Sequence, residues 1–274
     1  GLGMAATLHE KRIAVIGAGA MGQALIQGLL RTGQPPESLL ATRRRPEALA
    51  PLAALGIATA TDSANAIRTA DIVLLAIKPQ GWRDTVAELV EAFQPGQLVL
   101  SVLAGVPTTA LAAALPVGVF VVRAMPNTPA LVGQGVTGLC AAGGSEGALD
   151  VAELVFAASG RVFRVEERLM DALTVTSGSG PAYLFYLAEL MRDGATALGL
   201  DRALASELVA HTLRGAADLL VLSGADPTEL RAQVTSPGGT TARVIGTLED
   251  SGMRDAFLRG MDAGRRRAAA SARG

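Results

Sequence analysis

The chain has 274 residues, of which 50% are hydrophobic and 18% charged, with 32 glycines and a formal net charge of -1. That length buries a real core in one large or two modest domains, and the balance excludes a disordered chain and leaves no electrostatic footprint for nucleic acid or an acidic membrane. A single cysteine, Cys140, excludes an intrachain disulfide and suits a reducing cytoplasm, while two histidines, His9 and His211, are too few for a zinc site or a Cys-His catalytic pair.

The opening Gly1-Leu2-Gly3 before Met4 reads as a leftover of cloning and is set aside. No N-terminal stretch has the charged-then-apolar layout of a signal peptide, and no apolar run is long enough to span a bilayer, so a cytoplasmic protein without a membrane partner is expected. From there, short β-branched runs alternate with helical stretches. Arg12 to Ile16, Leu39 to Thr42, Ile72 to Ala76, Leu98 to Val102 and Val119 to Arg123 read as buried strands. Ala20 to Arg31, Pro46 to Leu55 and Trp82 to Phe93 read as helices, with Asp62, Asp71 and Pro107 at turns or helix starts. A last strand pair, Gly135 to Ala141 and Arg161 to Val165, brackets a helix Glu146 to Ala158. Such alternation implies an α/β fold with a Rossmann-type, doubly wound parallel sheet over residues 8–165.

After Glu166 the texture changes to helices alone: Pro181 to Leu198, Ala203 to Leu222, Pro227 to Val234, Thr241 to Asp250 and Met253 to Ala270. Residues 166–272 thus read as an all-helical C-terminal domain of roughly a hundred residues. Apolar faces recur through Pro181 to Leu222 beyond what a small domain needs for itself, which predicts an interlocked homodimer, with a tight monomeric bundle as the alternative; a larger homo-oligomer built of dimers is left open. The basic run Arg265 to Arg267 is expected in the last turn of a helix, where cations complement the dipole.

Gly17-Ala18-Gly19-Ala20-Met21-Gly22 follows a buried strand and opens a helix, the context in which this spacing binds a dinucleotide. The first glycine permits the turn, the second lets backbone approach the pyrophosphate, and the third lets helix and strand pack closely. Beyond the second strand, Thr42, Arg43 and Arg44 replace the acid that would bond ribose hydroxyls, which favours the 2′-phosphate of NADPH, with NADH as the alternative; Arg45 is expected to face solvent. Ala76-Ile77-Lys78-Pro79 ends the strand under the nicotinamide half, with Lys78 either near the cofactor or merely at the surface. Two helix starts, Ser177 to Tyr183 and Ser236 to Thr241, combine a serine cap, proline and glycines into a cradle for a small carboxylate.

Met125-Pro126-Asn127-Thr128-Pro129, Ser177 to Tyr183 and Val234 to Ala242, together with the cofactor turn and Ala76 to Pro79, occur in the order found in pyrroline-5-carboxylate reductases. The chain resembles that family from Arg12 to about Arg267. The resemblance implies NAD(P)H-dependent reduction of 1-pyrroline-5-carboxylate to L-proline, the last step of proline biosynthesis. It implies a proline-binding loop made of Ser236, Gly238, Gly239, Thr240 and Thr241. Glu167 would lie near the substrate, Val102, Leu103 and Ala104 along the nicotinamide, and Ser63, where the family often has Asn, near the adenosine. Ala41-Thr42-Arg43, where Ser-Asn-Arg is common, and Gln233, where Asn is common, bear on cofactor preference and affinity. In the implied mechanism the amides of Gly238, Gly239 and Thr240 fix the carboxylate, and the Thr241 hydroxyl bonds the imine nitrogen.

A β-hydroxyacid dehydrogenase would share this plan, but its helical-domain lysine base is missing: the chain has only Lys11 and Lys78. A broader imine reductase, separable by a substrate panel, and a non-catalytic nucleotide sensor, separable by cofactor oxidation, are the other readings.

Overall fold

The computed structural model describes Leu8–Ser271; the Gly1-Leu2-Gly3 opening and Ala272, where the expected helical domain ends, lie outside those residues. The chain separates into two compact units, one running up to Ser179 and including the stretch from Arg265, the other spanning Gly180–Gly264.

In the first unit, eight strands form a sheet among the described residues: β1 (Ile13–Ile16), β2 (Leu39–Thr42), β3 (Ala58–Ala60), β4 (Ile72–Leu75), β5 (Leu98–Ser101), β6 (Phe120–Met125), β7 (Gly135–Ala141) and β8 (Gly160–Arg164). Their order is β3-β2-β1-β4-β5-β6-β7-β8. Strand order reverses at β1, which pairs in parallel with both β2 and β4, so a crevice opens at the carboxyl ends of β1 and β4. Register sets the levels there: Ile16 lies opposite Thr42 and Leu75, and Ser101 opposite Leu75 and Arg123.

The sheet is buried on both faces, and alternation along each strand divides its side chains between them. Val15, Leu74, Leu100 and Val122 join Leu25, Ile26, Leu29 and Phe156 on one side. Ile16, Val73, Leu75, Val99 and Val121 join Ile67, Trp82, Val86 and Leu111 on the other.

Several elements differ from the sequence reading, each for a local reason. The sheet is not wholly parallel, because β7 runs antiparallel to β6. The connection between them holds only a short 3-10 turn, Thr128–Val132, and is too brief for a parallel crossover. β6 runs on to Met125 and stops where Pro126 offers no donor. The expected helix Pro46 to Leu55 is a 3-10 turn, Pro46–Ala48, followed by Ala50–Ala53, since Pro51 lacks the amide a continuous helix would need. Trp82 to Phe93 splits into the helix Trp82–Leu89 and a 3-10 turn Val90–Ala92. The helices Ser63–Arg68 and Thr108–Ala114 follow Asp62 and Pro107, the positions marked as helix starts.

The Ser177 segment is not a fresh helix start. A helix Met170–Leu173 passes through a π-helical turn, Thr174–Gly178, directly into the helix Gly180–Ala197. The Ser179 amide already donates to the Thr174 carbonyl at 2.7 Å, so that amide is engaged within the helix.

The second unit is helical: Gly180–Ala197, Arg202–Ser223, Pro227–Gln233, Thr240–Asp250 and the first part of Met253–Ser271. Asp201 caps its helix by accepting from the Ala203 and Leu204 amides at 3.1 and 3.3 Å, and Asp226 accepts from the Thr228 amide at 2.8 Å. Tyr183 and Phe257 meet edge to face, with ring centroids 5.6 Å apart. The last helix continues to Ser271, so Arg265 to Arg267 lie a turn short of its end rather than in its last turn.

Candidate active site

The turn after β1 has the geometry its glycines predict. Gly17 sits at φ 75°, and a Cβ there would lie 2.8 Å from Ile77 Cγ2. Its amide and that of Ala18 both donate to the Thr42 carbonyl, at 3.0 and 3.1 Å, which ties the turn to β2. Gly19 is the N-cap of Ala20–Arg31, leaving the first-turn amides of Ala20, Met21 and Gly22 without intrahelical acceptors. At Gly22 a Cβ would meet Val15 Cγ1 at 3.2 Å, so helix and strand approach as closely as the motif requires. No acid stands in the first turn of this helix to repel a phosphate. A cradle that side chains would fill, open amides and a positive helix end fit the pyrophosphate of a dinucleotide.

Beside this turn lies a cleft of about 340 Å³, lined by Gly17, Arg43, Arg44, Ser63, Ile77 and Thr85 among others. Buried Thr42 shares a 2.8 Å hydrogen bond with Ser63. Arg43 Nη1 donates to the Ala18 carbonyl at 3.0 Å, which lays its guanidinium over the turn. Arg44 instead reaches the helix Trp82–Leu89: its Nη2 donates to Thr85 Oγ1 at 3.0 Å and lies 3.7 Å from Glu88. Arg45 is exposed, as expected. Asp62 also faces the cleft, with its carboxylate accepting from the Asn65 amide at 3.0 Å. Sequence reasoning missed Asp62, Thr85 and Glu88 as cleft residues. Helical spacing places Thr85 and Glu88 three residues apart on neighbouring positions of the helix surface, but does not say which loop that surface meets.

Ala76 continues the β1 ladder through its amide to the Ile16 carbonyl at 2.9 Å, Ile77 packs on Gly17, and Lys78 and Pro79 follow with Lys78 exposed. At the end of β5 the Val102 amide donates to the Leu75 carbonyl at 3.2 Å. Leu103 turns into the core, and Ala104 is exposed.

Glu167 lies in a 3-10 turn, Glu167–Leu169, where its carboxylate is well occupied. Oε1 accepts from the buried Arg123 guanidinium and from the Thr108 amide, both at 3.1 Å, and Oε2 accepts from the Cys140 thiol. Burial, and then the hydrogen bond to Glu167, push the Cys140 thiol up to about 12, so it remains a neutral donor. Asn127 is a second buried anchor that sequence reasoning quoted in a motif without a role. Its Nδ2 donates to the Ser177 carbonyl at 2.9 Å, and its Oδ1 accepts from the Val136 amide at 2.8 Å, fastening the π-helical turn to β7. Neither partner is near in sequence, so no local signal could have found the contact.

In the second unit, Ser236 does not cap the helix. Gly239 occupies that position, and its amide donates to the Ser236 carbonyl at 3.1 Å, closing a turn through Gly238 at φ 72°. The Gly239 amide is therefore engaged, whereas Thr240 and Thr241 open the helix with first-turn amides that have no intrahelical acceptor. Among the described residues neither threonine hydroxyl takes an internal hydrogen bond, and Thr241 is half-buried.

A hollow of about 390 Å³ at the amino ends of the strands, lined by Lys11, Asp71 and Phe120 among others, includes no candidate residue. Among the described residues no His, Cys, Asp and Glu cluster suited to a metal occurs. No helix among them is long and apolar enough to cross a membrane.

Comparison with known proteins bears on both units. A family model described as pyrroline-5-carboxylate reductase dimerisation matches residues 167–271, and one described as NADP oxidoreductase coenzyme F420-dependent matches residues 12–105. A pyrroline-5-carboxylate reductase from Methanosarcina acetivorans is 41% identical over 92% of this chain and 94% of its own length. The solved structure of a pyrroline-5-carboxylate reductase from Coxiella burnetii superposes with a TM-score of 0.87 at 33% identity, covering 95% of this chain and 98% of that one. The Plasmodium falciparum pyrroline carboxylate reductase, solved with NADP bound, shares the fold at a TM-score of 0.87 and 24% identity, covering 96% of this chain and 99% of that one.

Proposed function

The chain belongs to the pyrroline-5-carboxylate reductase family, and from that membership we propose how its residues divide the reaction. The enzyme reduces 1-pyrroline-5-carboxylate to L-proline with NAD(P)H, and it is a homo-oligomer. The bound nicotinamide supplies the hydride to the imine carbon. Residues of the chain must hold the dinucleotide, hold the substrate carboxylate and manage the charge on the ring nitrogen.

Gly17, Ala18, Gly19, Ala20, Met21 and Gly22 hold the pyrophosphate. Thr42, Arg43, Arg44 and Ser63 take the adenosine side and favour the 2′-phosphate of NADPH. Ala76, Ile77, Lys78 and Pro79, with Val102, Leu103 and Ala104, follow the dinucleotide towards its nicotinamide. The turn Ser236 to Thr241 takes the substrate. With the Gly239 amide engaged in the turn, the open amides of Thr240 and Thr241 bind the carboxylate, while Gly238 and Gly239 set the turn's shape. Glu167, held by Arg123, Thr108 and Cys140, serves the substrate side by fixing the segment that leads into the π-helical turn. The Thr241 hydroxyl donates to the imine nitrogen, or, when the ring arrives as an iminium, its oxygen accepts a hydrogen bond from the N–H, which stays on nitrogen as hydride adds to carbon. No strong acid is required of the chain, because the ring can arrive already protonated.

The division of labour falls near residue 165, with 8–165 for the cofactor and 166–272 for substrate and dimer formation. A homodimer, alone or in a larger assembly of dimers, a cytoplasmic setting and no nucleic-acid partner complete the proposal.

The observation that carries this assignment is the helix start at Thr240, with open amides and an unbonded Thr241 hydroxyl. Thr241→Ala is expected to lower kcat by about ten- to a thousandfold, in the range of a positioned proton donor, and to leave the Kd for NADPH unchanged. A change in KM for the imine alone would remove Thr241 from the chemical step.

A further inference from the structure

The cleft beside the cofactor turn has a mixed lining: Arg43 and Arg44 face it, and so do Asp62 and Glu88. Asp62 has a structural task there, since it caps the helix Ser63–Arg68. Glu88 has none. It is exposed, and among the described residues its one partner is Arg44, held at 3.7 Å while the same guanidinium donates to Thr85 at 3.0 Å. Arg44 follows β2, and Thr85 and Glu88 lie on the helix Trp82–Leu89, so this contact bridges the cleft from one wall to the other.

We propose that Glu88 is a specificity-determining residue that weakens the preference for NADPH over NADH. The inference rests on the reading that Arg43 and Arg44 receive the 2′-phosphate. Two effects then act in the same direction. Glu88 competes with the phosphate for Arg44, and its negative charge on the cleft wall repels a group carrying nearly two negative charges. NADH has a hydroxyl at that position and meets neither penalty. Thr85, a neutral acceptor, lets Arg44 rest across the cleft without adding charge. The resulting enzyme uses NADPH by preference yet accepts NADH, although no carboxylate stands at the end of β2 where a ribose-binding acid would be.

The test is calorimetric titration of the purified protein and of Glu88→Gln with NADPH and NADH separately, without substrate. Glu88→Gln is expected to tighten NADPH by about three- to tenfold at low salt and to change NADH by less than about twofold. The gain should shrink at high salt, because the charges are exposed. Equal shifts for both cofactors, or none for NADPH, would overturn the role of Glu88. Arg44→Ala, titrated in parallel, separates this from the underlying reading. Weaker NADPH with unchanged NADH upholds the phosphate site, whatever Glu88 does. No effect on NADPH would remove the site and the inference with it.

Discussion

The sheet unit and the helical unit treat their apolar side chains in opposite ways. In the first, Phe156, Ile26, Leu52, Ile67 and Leu75 are fully buried, and two continuous layers of core line the sheet. Within Gly180–Gly264 only Ala205 and Val209 are buried, while Leu184, Phe185, Tyr186, Leu190, Leu219 and Leu222 are all at least half exposed. A single exposed leucine needs no explanation, but a run of them along two helices does. The first unit has a core of its own; the second leaves an apolar face exposed, within a region that matches a dimerisation family over residues 167–271. Stability of the first is then expected to be a property of the chain, and that of the second to depend on protein concentration.

The sharpest way to break that contrast is to charge the exposed face. Phe185→Asp combined with Leu219→Asp should abolish dimer formation, since each introduces an unpaired carboxylate that costs about 3–5 kcal/mol to bury. Light scattering after size exclusion should then report a monomer, with the sheet unit still folded and able to bind NADPH. A dimer that persists would place the interface elsewhere. The complementary change, Phe156→Ala, should cost the sheet unit about 3–5 kcal/mol through a cavity the surrounding layer cannot close. Its denaturation midpoint should fall at every protein concentration, without a change in oligomeric state. Loss of oligomers ahead of unfolding would mean that the two units are not separable in this way.

The smallest effect concerns Cys140, inside the sheet unit. Its thiol is raised from 9.0 to about 12 by burial and the Glu167 contact, so the folded state holds a proton that the unfolded chain releases earlier. The contribution is whole below about pH 9 and is lost as pH rises towards about 12. Stability measured across that window should decline, and Cys140→Ala should flatten part of the decline. An unchanged slope would show that the thiol ionises alike in both states.

The same contrast governs what the sequence made legible. The cofactor turn could be read because Gly17, Gly19 and Gly22 act through backbone geometry set by their immediate neighbours. The change from strand-helix alternation to helices after Glu166 could be read because periodicity is local as well. β3 escaped notice, since Ala58–Ala60 is only three residues long and contains no large apolar side chain to mark a strand. The π-helical turn escaped because its fastening, Asn127 to the Ser177 carbonyl, spans fifty positions. Arg44 was placed in the cleft by its position after β2, but its bridge to Thr85 and Glu88 depends on tertiary packing. Ser236 followed the usual preference for a serine cap, and the turn it closes gave that position to Gly239.

Turnover itself is the decisive measurement. Absorbance at 340 nm, the band of the reduced nicotinamide, should fall only when 1-pyrroline-5-carboxylate is added to enzyme and NADPH, with one proline formed per NADPH consumed. NADH should support a slower but measurable rate. A folded, cofactor-binding protein that oxidises neither cofactor in the presence of this imine would contradict the account.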